Sequence, residues 1–518
     1  MTGRRRAGPS AGPVGPAVRL LGLLPEGGAV QSGLVAGLLV VAATVVGLVG
    51  HGATPVRAGT DEVHTADLVC PGAVDRMPGV RSTIGITAAP PDGTATSGSV
   101  TLDDLAPGNT VRGRLTGPGT IGVDTSKDAA PAQLVRGKDG LAPGLAAELV
   151  TDPGSGAGNA LSATPCAAPA VTQWFVGAAT TTGRREKLVL ANPETSPAAV
   201  DLRFWDETGP VNVPNSTDVA VPAGGVVTLP LDTMAPGHQR LAIEVSTTRG
   251  AVAAALHDLD AVGAVVNGDD WMVPVTNPDR DLVIPGLPDR TSVRKLYLVA
   301  PGESAAIVRV RLLTADNAFA PAGADTVVVP AGKVGEYDLS AAGGGQAAAV
   351  VVSADRPVLA SVRAVRTEHG GQDFAWAAPV SPLSGAATVP DGRSGPAGAT
   401  GLLLAAPGAG GVVRVQLYAG SGAPRSTLVR IPPDRAVSVD QASGGTGHFT
   451  LVVTPEPGSG PVYGERVLRT GGSGLAITPL RSSRVSVVVP AVVPDVTVVT
   501  TGAAGRRATD ADASRQAD

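Results

Sequence analysis

Aromatic residues are scarce in this sequence: Phe, Trp and Tyr make up 3% of it, with 5, 4 and 4 copies among 518 residues. So few rings count against broad sugar-stacking platforms and oblige any core to be built from Val, Leu and Ala. Each fully buried Val or Leu then contributes about 1.5–3 kcal/mol. Excess charge is missing as well. The net charge is −5, from 40 Lys and Arg against 45 Asp and Glu, with no basic stripe to meet phosphates, so nucleic acid is not an expected partner. The histidines (His51, His64, His238, His257, His369, His448) are spread one or two per region, with no metal-ligand spacing and no HExxH. There is no GxSxG nucleophile elbow and no Walker A motif. Gly117-Pro118-Gly119-Thr120-Ile121-Gly122 fits GxGxxG on paper, but Pro118 and the Gly-rich surroundings read as a turn rather than a strand-to-helix phosphate loop. No catalytic, cofactor or metal-binding residue is nominated, and no cofactor is implied.

What is present is glycine, proline and short apolar runs: Gly 69, Pro 45 and 43% apolar residues. The clearest unit is 185–257. In Val200-Asp201-Leu202-Arg203-Phe204, apolar and polar residues alternate, which places Val200, Leu202 and Phe204 on one face of a strand. Turn formers separate the runs, at Asn192-Pro193, Gly209-Pro210, Pro222-Ala223-Gly224-Gly225 and Arg249-Gly250. The unit recurs at 294–366 and 400–469. Residues 146–163 resemble the terminal hairpin at 451–467, which predicts a degenerate fourth copy near the N-terminus. A repeat of roughly 100 residues is too long for a solenoid. The expected fold class is all-β, with tandem Ig-like β-sandwich modules after one N-terminal transmembrane helix.

In chain order, residues 1–30 form a cytoplasmic Gly/Pro/Arg-rich leader and 31–50 a transmembrane anchor or signal segment, with 33–49 as its apolar heart. Arginines before it and Asp61-Glu62 after it place the N-terminus inside and the bulk outside. An uncleaved single-pass anchor is favoured over secretion after cleavage near Ala58, because the apolar run exceeds an ordinary signal core. A degenerate β module with a disulfide follows at 61–170. Module one occupies 171–270, module two 271–380, and a linker with module three and closing strands 381–500. A polar tail, 501–518, reads as disordered. The only two cysteines, Cys70 and Cys166, lie outside the membrane and lack CxxC spacing or a neighbouring His, so a structural bridge is expected. It would close a loop of about 95 residues, worth about 4–5 kcal/mol in the chain-entropy model. Trp271 and Trp376, just after the terminal hairpins, read as core or inter-domain packing. His257, Asp258, Asp260, Asp269, Asp270, Asp279 and Asp281 read as a solvated acidic connector between modules one and two rather than a calcium site.

Trp174-Phe175-Val176-Gly177, then Leu188-Val189-Leu190-Ala191-Asn192-Pro193, then Ala198-Ala199-Val200-Asp201-Leu202 resemble the domain-of-unknown-function 5719 family. Those exported proteins are widespread in actinobacteria. The resemblance covers most of 60–500 and is specific over 174–205; module three departs from it, with Ala406-Pro407 where Asn-Pro is the rule. It implies Ig-like repeats outside the membrane and carries no activity. The functional expectation is a non-catalytic cell-envelope scaffold with an envelope or membrane protein partner. A glycan-binding module is the alternative, and a glycan hydrolase a more distant one.

Overall fold

The computed structural model describes residues 59–489 apart from 73, 75–79, 89–96, 107–109, 126–131, 153–159, 264, 276, 421–422 and 442–446. The expected anchor at 33–49, the leader 1–30 and the tail 501–518 lie outside the described residues. Among the described residues, no helix is long and apolar enough to cross a membrane.

The fold is all-β, with many sheets; the one α-helical turn among the described residues is Leu231–Met234. The alternation read from the sequence is visible in strand Ala198–Trp205, where Val200, Leu202 and Phe204 are buried and Arg203 is exposed. Module one has eight strands in chain order: Thr172–Ala178, Arg184–Asn192, Ala198–Trp205, a split fourth (Pro210–Val211 and Val219–Val221), Gly225–Pro230, Leu241–Arg249, Ala253–Val262 and Val265–Met272. The first, sixth, third and fourth form one antiparallel sheet, and the fifth, second, seventh and eighth form another. The same order recurs in the strands between Thr65 and Pro165, between Asp279 and Ala377, and between Ala387 and Pro479. In module two the sixth and seventh strands are one continuous strand, Ala348–Glu368. Its first half pairs with Asp279–Leu287 and its second half with Val293–Val299.

The Asn-Pro signature has a local cause. Asn192 Nδ2 donates to the carbonyls of Ser196 and Val221, and its Oδ1 accepts from the Glu194 N–H, so one buried side chain holds the turn closed. Module three has no such side chain at Ala406. There Asp434 reaches across instead, its Oδ1 accepting from the Gly408 N–H at 3.1 Å while its own N–H donates to the Ala406 carbonyl at 3.0 Å.

Residues Asp61–Val487 make one compact unit, and its cores run across the modules. Tyr297, Val299, Leu359 and Trp376 of module two belong to the core of module one, and Leu403, Val467 and Ile477 of module three to the core of module two. Val150 and Leu161 of the N-terminal module pack with Leu468 and Ala476 of module three. Val69 and Leu134 of the N-terminal module pack with Ala191 and Ala253 of module one, which closes the circle. In the seams from one to two, two to three and three to the N-terminal module, the first strand of one module lies on the second sheet of the next. The four eighth strands (Ser162–Pro165, Val265–Met272, Gly371–Ala377 and Leu475–Pro479) meet at the centre of the ring.

A bulge marks each of those three first strands where it crosses its neighbour, between Val176 and Ala178, Ile284 and Leu287, and Val389 and Gly392. Glycine sits at the contact. Gly177 has φ 98°, and a Cβ there would stand 2.8 Å from the Trp376 ring, so both backbone and space demand glycine. A Cβ on Gly286 would stand 1.8 Å from Glu465 Oε2. Gly286→Ala is therefore expected to destabilise the protein by about 1–3 kcal/mol through overpacking of the seam between modules two and three. Urea titration checks it; a midpoint within error of wild type would mean that the seam yields.

Candidate functional site

The side chains richest in chemistry lie where modules meet. Asp373, on the eighth strand of module two, is fully buried. Its Oδ2 accepts from the backbone N–H of Leu161 and of Leu475, each at 2.9 Å, and its Oδ1 from that of Asp269 at 3.3 Å. One carboxyl group thus binds the backbones of all three other modules. Asp270, on the eighth strand of module one, is also fully buried; it accepts from Trp376 N–H at 2.8 Å and Ala163 N–H at 3.4 Å. Burial pushes both carboxyl groups well above the ordinary carboxylate range, against the pull of these backbone donors.

Beside this axis, the seam between modules one and two holds a charged cluster. Arg184 bridges Asp258 at 2.5 Å and Glu186 at 2.9 Å, and the Trp376 indole Nε1 donates to Asp258 Oδ2 at 2.9 Å. Burial and then the Asp258 charge push Glu186 well above the carboxylate range. Burial opposes ionisation of Asp258 too, but Arg184 and Arg363 outweigh it and hold that group low. Arg363 also bridges Asp260 at 3.1 Å and lies 3.9 Å above the centre of the Phe374 ring. His257 Nε2 stands 2.5 Å from Asp269 Oδ1.

The seam between module three and the N-terminal module holds a second cluster. Arg466 is fully buried; its Nη2 donates to Glu148 Oε2 at 2.8 Å, its Nε to Thr478 and its Nη1 to the Asp391 carbonyl. Arg393 bridges Asp391 at 2.7 Å and Asp152 at 2.9 Å, and His448 Nδ1 lies 2.5 Å from Asp391. Burial alone would raise Asp391, yet its bonds to His448 and Arg393 hold it at about 2.

These placements correct one expectation. The acidic stretch after His257 is not a solvated connector: His257, Asp258, Asp269 and Asp270 lie on the paired strands Ala253–Val262 and Val265–Met272, and all four are buried. The polar character that reads as loop in sequence is absorbed by backbone donors and arginines more than 70 residues away. Asp279 and Asp281 lie apart from them, exposed on the first strand of module two. Among the described residues, no group of three or more His, Cys, Asp or Glu is placed to hold a metal ion. Cys70 and Cys166 form a disulfide at a sequence separation of 96, beside the backbone bridge between Val69 and Ala167. All four tryptophans, Trp174, Trp205, Trp271 and Trp376, are at most 8% exposed.

The buried acids set a sign for pH dependence. Asp270, Asp373, Glu186 and Glu465 have folded pKa values above their unfolded ones, so the native state binds more protons between the two values and stability falls as pH rises. Each acid contributes a slope on the order of 1 kcal/mol per pH unit within its window. His448 is raised, first by its hydrogen bond to Asp391; its contribution is fully present below the unfolded histidine value and is lost as pH rises through the folded one. Asp391 works the other way, its contribution disappearing as pH falls from about 4 toward 2. Thermal melts are expected to peak near pH 5 and decline toward pH 8; a flat or rising profile over that interval would contradict the assignment.

Comparison with known proteins gives one family and little else. No curated protein matches the chain. A solved structure described as "Crystal structure of tetra-tandem repeat in extending region of large adhesion protein" is similar at 13% identity, over 83% of this chain and 100% of that one, with a TM-score of 0.08. A likeness that slight carries no argument about this molecule. The model of a family of unknown function, DUF5719, matches residues 121–442, which include the bulged first strands, both halves of the axial cluster and the signature at Asn192-Pro193. The chain belongs to the DUF5719 family.

Proposed function

We propose that this protein is a non-catalytic scaffold of the cell envelope, held to the membrane by residues 33–49 and presenting a rigid ring of Ig-like sandwiches to another envelope protein. The observation that carries the reading is how the perturbed carboxyl groups are used. Asp270 and Asp373 are buried and accept hydrogen bonds from the backbones of other modules, which serves to fix modules rather than to meet a substrate. A ring whose seams are cores, bulges and buried ion pairs holds its outer surfaces in set positions, as a docking platform requires. The charge-free apolar run behind a basic leader supports the membrane placement.

The test is affinity capture with the full chain in detergent from solubilised envelope and, in parallel, on purified wall glycan. Specific protein partners without retention on glycan support the scaffold. Retention on glycan with no protein partner would replace it by a glycan-binding function, and turnover of that glycan by an enzyme.

A further inference from the structure

A second site lies away from the axis, in an open pocket of about 440 Å³ between modules two and three. Three arginines line it from separate elements: Arg290 from the turn between the first two strands of module two, Arg366 from the end of its seventh strand, and Arg469 from the end of the seventh strand of module three. Two carboxylates meet these three cations. Asp289 takes Arg469 Nη2 at 2.5 Å and stands 3.6 Å from Arg290, and Glu368 takes Arg366 Nη2. The Arg366 Nη1 is used on the carbonyls of Thr470 and Gly474. The Nε groups of both Arg366 and Arg469 remain buried without a hydrogen-bond partner among the described residues, and the Arg366 side chain is 7% exposed. Three guanidinium groups thus share two carboxylates, and two of them keep an unpaired Nε donor, which leaves the cluster short of an acceptor. Arg290 adds a backbone feature: its φ is 57°, left-handed for a residue with a side chain, and it sends the cation to the pocket rim.

The other wall is polar and uncharged, apart from Asp440, with the hydroxyls of Ser438 and Thr470 beside it. Guanidinium groups arriving from three directions suit a tetrahedral oxyanion, which offers acceptors to all of them, better than a two-oxygen carboxylate. Hydroxyl groups and a lone carboxylate suit the donors and acceptors of a polyol. We infer that this pocket binds a phosphorylated sugar or polyol, with the phosphoryl group on Arg290, Arg366 and Arg469 and the hydroxyls on Ser438 and Asp440. The inference does not depend on the scaffold reading or on where the protein resides.

Titration calorimetry of the full chain in detergent tests it, with glucose 6-phosphate, inorganic phosphate, glucose and glucuronate as probes. Glucose 6-phosphate is expected to bind saturably and more tightly than the other three. Arg290→Gly is the informative variant, because glycine accepts the left-handed backbone. It should melt at or above the wild-type temperature while affinity falls about tenfold or more. Ser438→Ala should weaken the sugar phosphate several-fold and leave inorganic phosphate unchanged. Inorganic phosphate binding as tightly as glucose 6-phosphate would overturn the sugar assignment, and glucuronate binding best would overturn the phosphoryl one. No saturable binding, or full affinity in Arg290→Gly, would overturn the site itself.

Discussion

Asp373→Ala is expected to be the most damaging single substitution in the protein. It removes the acceptor for the backbone N–H groups of Leu161, Leu475 and Asp269 and leaves three donors buried in three different modules. An orphaned buried donor costs about 1–3 kcal/mol, so the sum is about 6 kcal/mol, comparable to the whole stability of many domains. Asp373→Asn keeps one accepting oxygen and turns an amide donor toward the other N–H, so an intermediate loss is expected. Chemical denaturation measures both. A loss below about 1 kcal/mol for the alanine variant would show that the axis relaxes around the gap and that the modules are fixed elsewhere.

Glu148→Ala ranks second and acts at the closing seam. Arg466 is fully buried, and Glu148, 318 residues earlier, is the carboxylate it meets; the other oxygen of Glu148 accepts the Asp391 N–H at 2.7 Å. Breaking a buried pair from one side leaves an uncompensated charge and costs about 3–5 kcal/mol, whereas replacing both members by apolar residues of similar volume is often close to neutral. Glu148→Met with Arg466→Met is therefore expected to recover most of what Glu148→Ala loses. A double variant as unstable as the single one would assign the cost to the Asp391 hydrogen bond instead. The alanine variant should also expose the links around the N-terminal module to protease before the others, since that module then loses its hold on module three.

Strands and turns were legible in the sequence because they answer to local rules. Val200, Leu202 and Phe204 alternate with polar neighbours, and Asn192-Pro193 marks a turn whose closing bonds span only the nearby Ser196 and the facing Val221. The ring was not legible, because its determinants are partners far apart in the chain. An aspartate inside a short apolar strand reads as its solvent-facing side, and nothing near Asp270 or Asp373 says that a backbone from another module will cover it. A signal was nevertheless present. Asp270-Trp271 and Asp373-Phe374 repeat an acid followed by an aromatic on equivalent eighth strands. Val176-Gly177, Pro285-Gly286 and Pro390-Asp391-Gly392 mark the bulges of successive first strands. The pocket arginines were invisible for the same reason: Arg290, Arg366 and Arg469 are scattered over 180 positions and share no motif.

The Val63 N–H donates to the Val485 carbonyl at 3.1 Å, so the entry and exit of the compact unit lie side by side. Modules strung in a line would pass tension from one to the next, and each would unravel in turn. Here a pull on the two ends loads the join between the N-terminal module and module three first, with the other three seams out of the line of force. The mechanical strength of the body is then that of a single clasp, fastened by Glu148, Arg466 and Asp391 and by the strand Ala387–Ser394 lying on its neighbour.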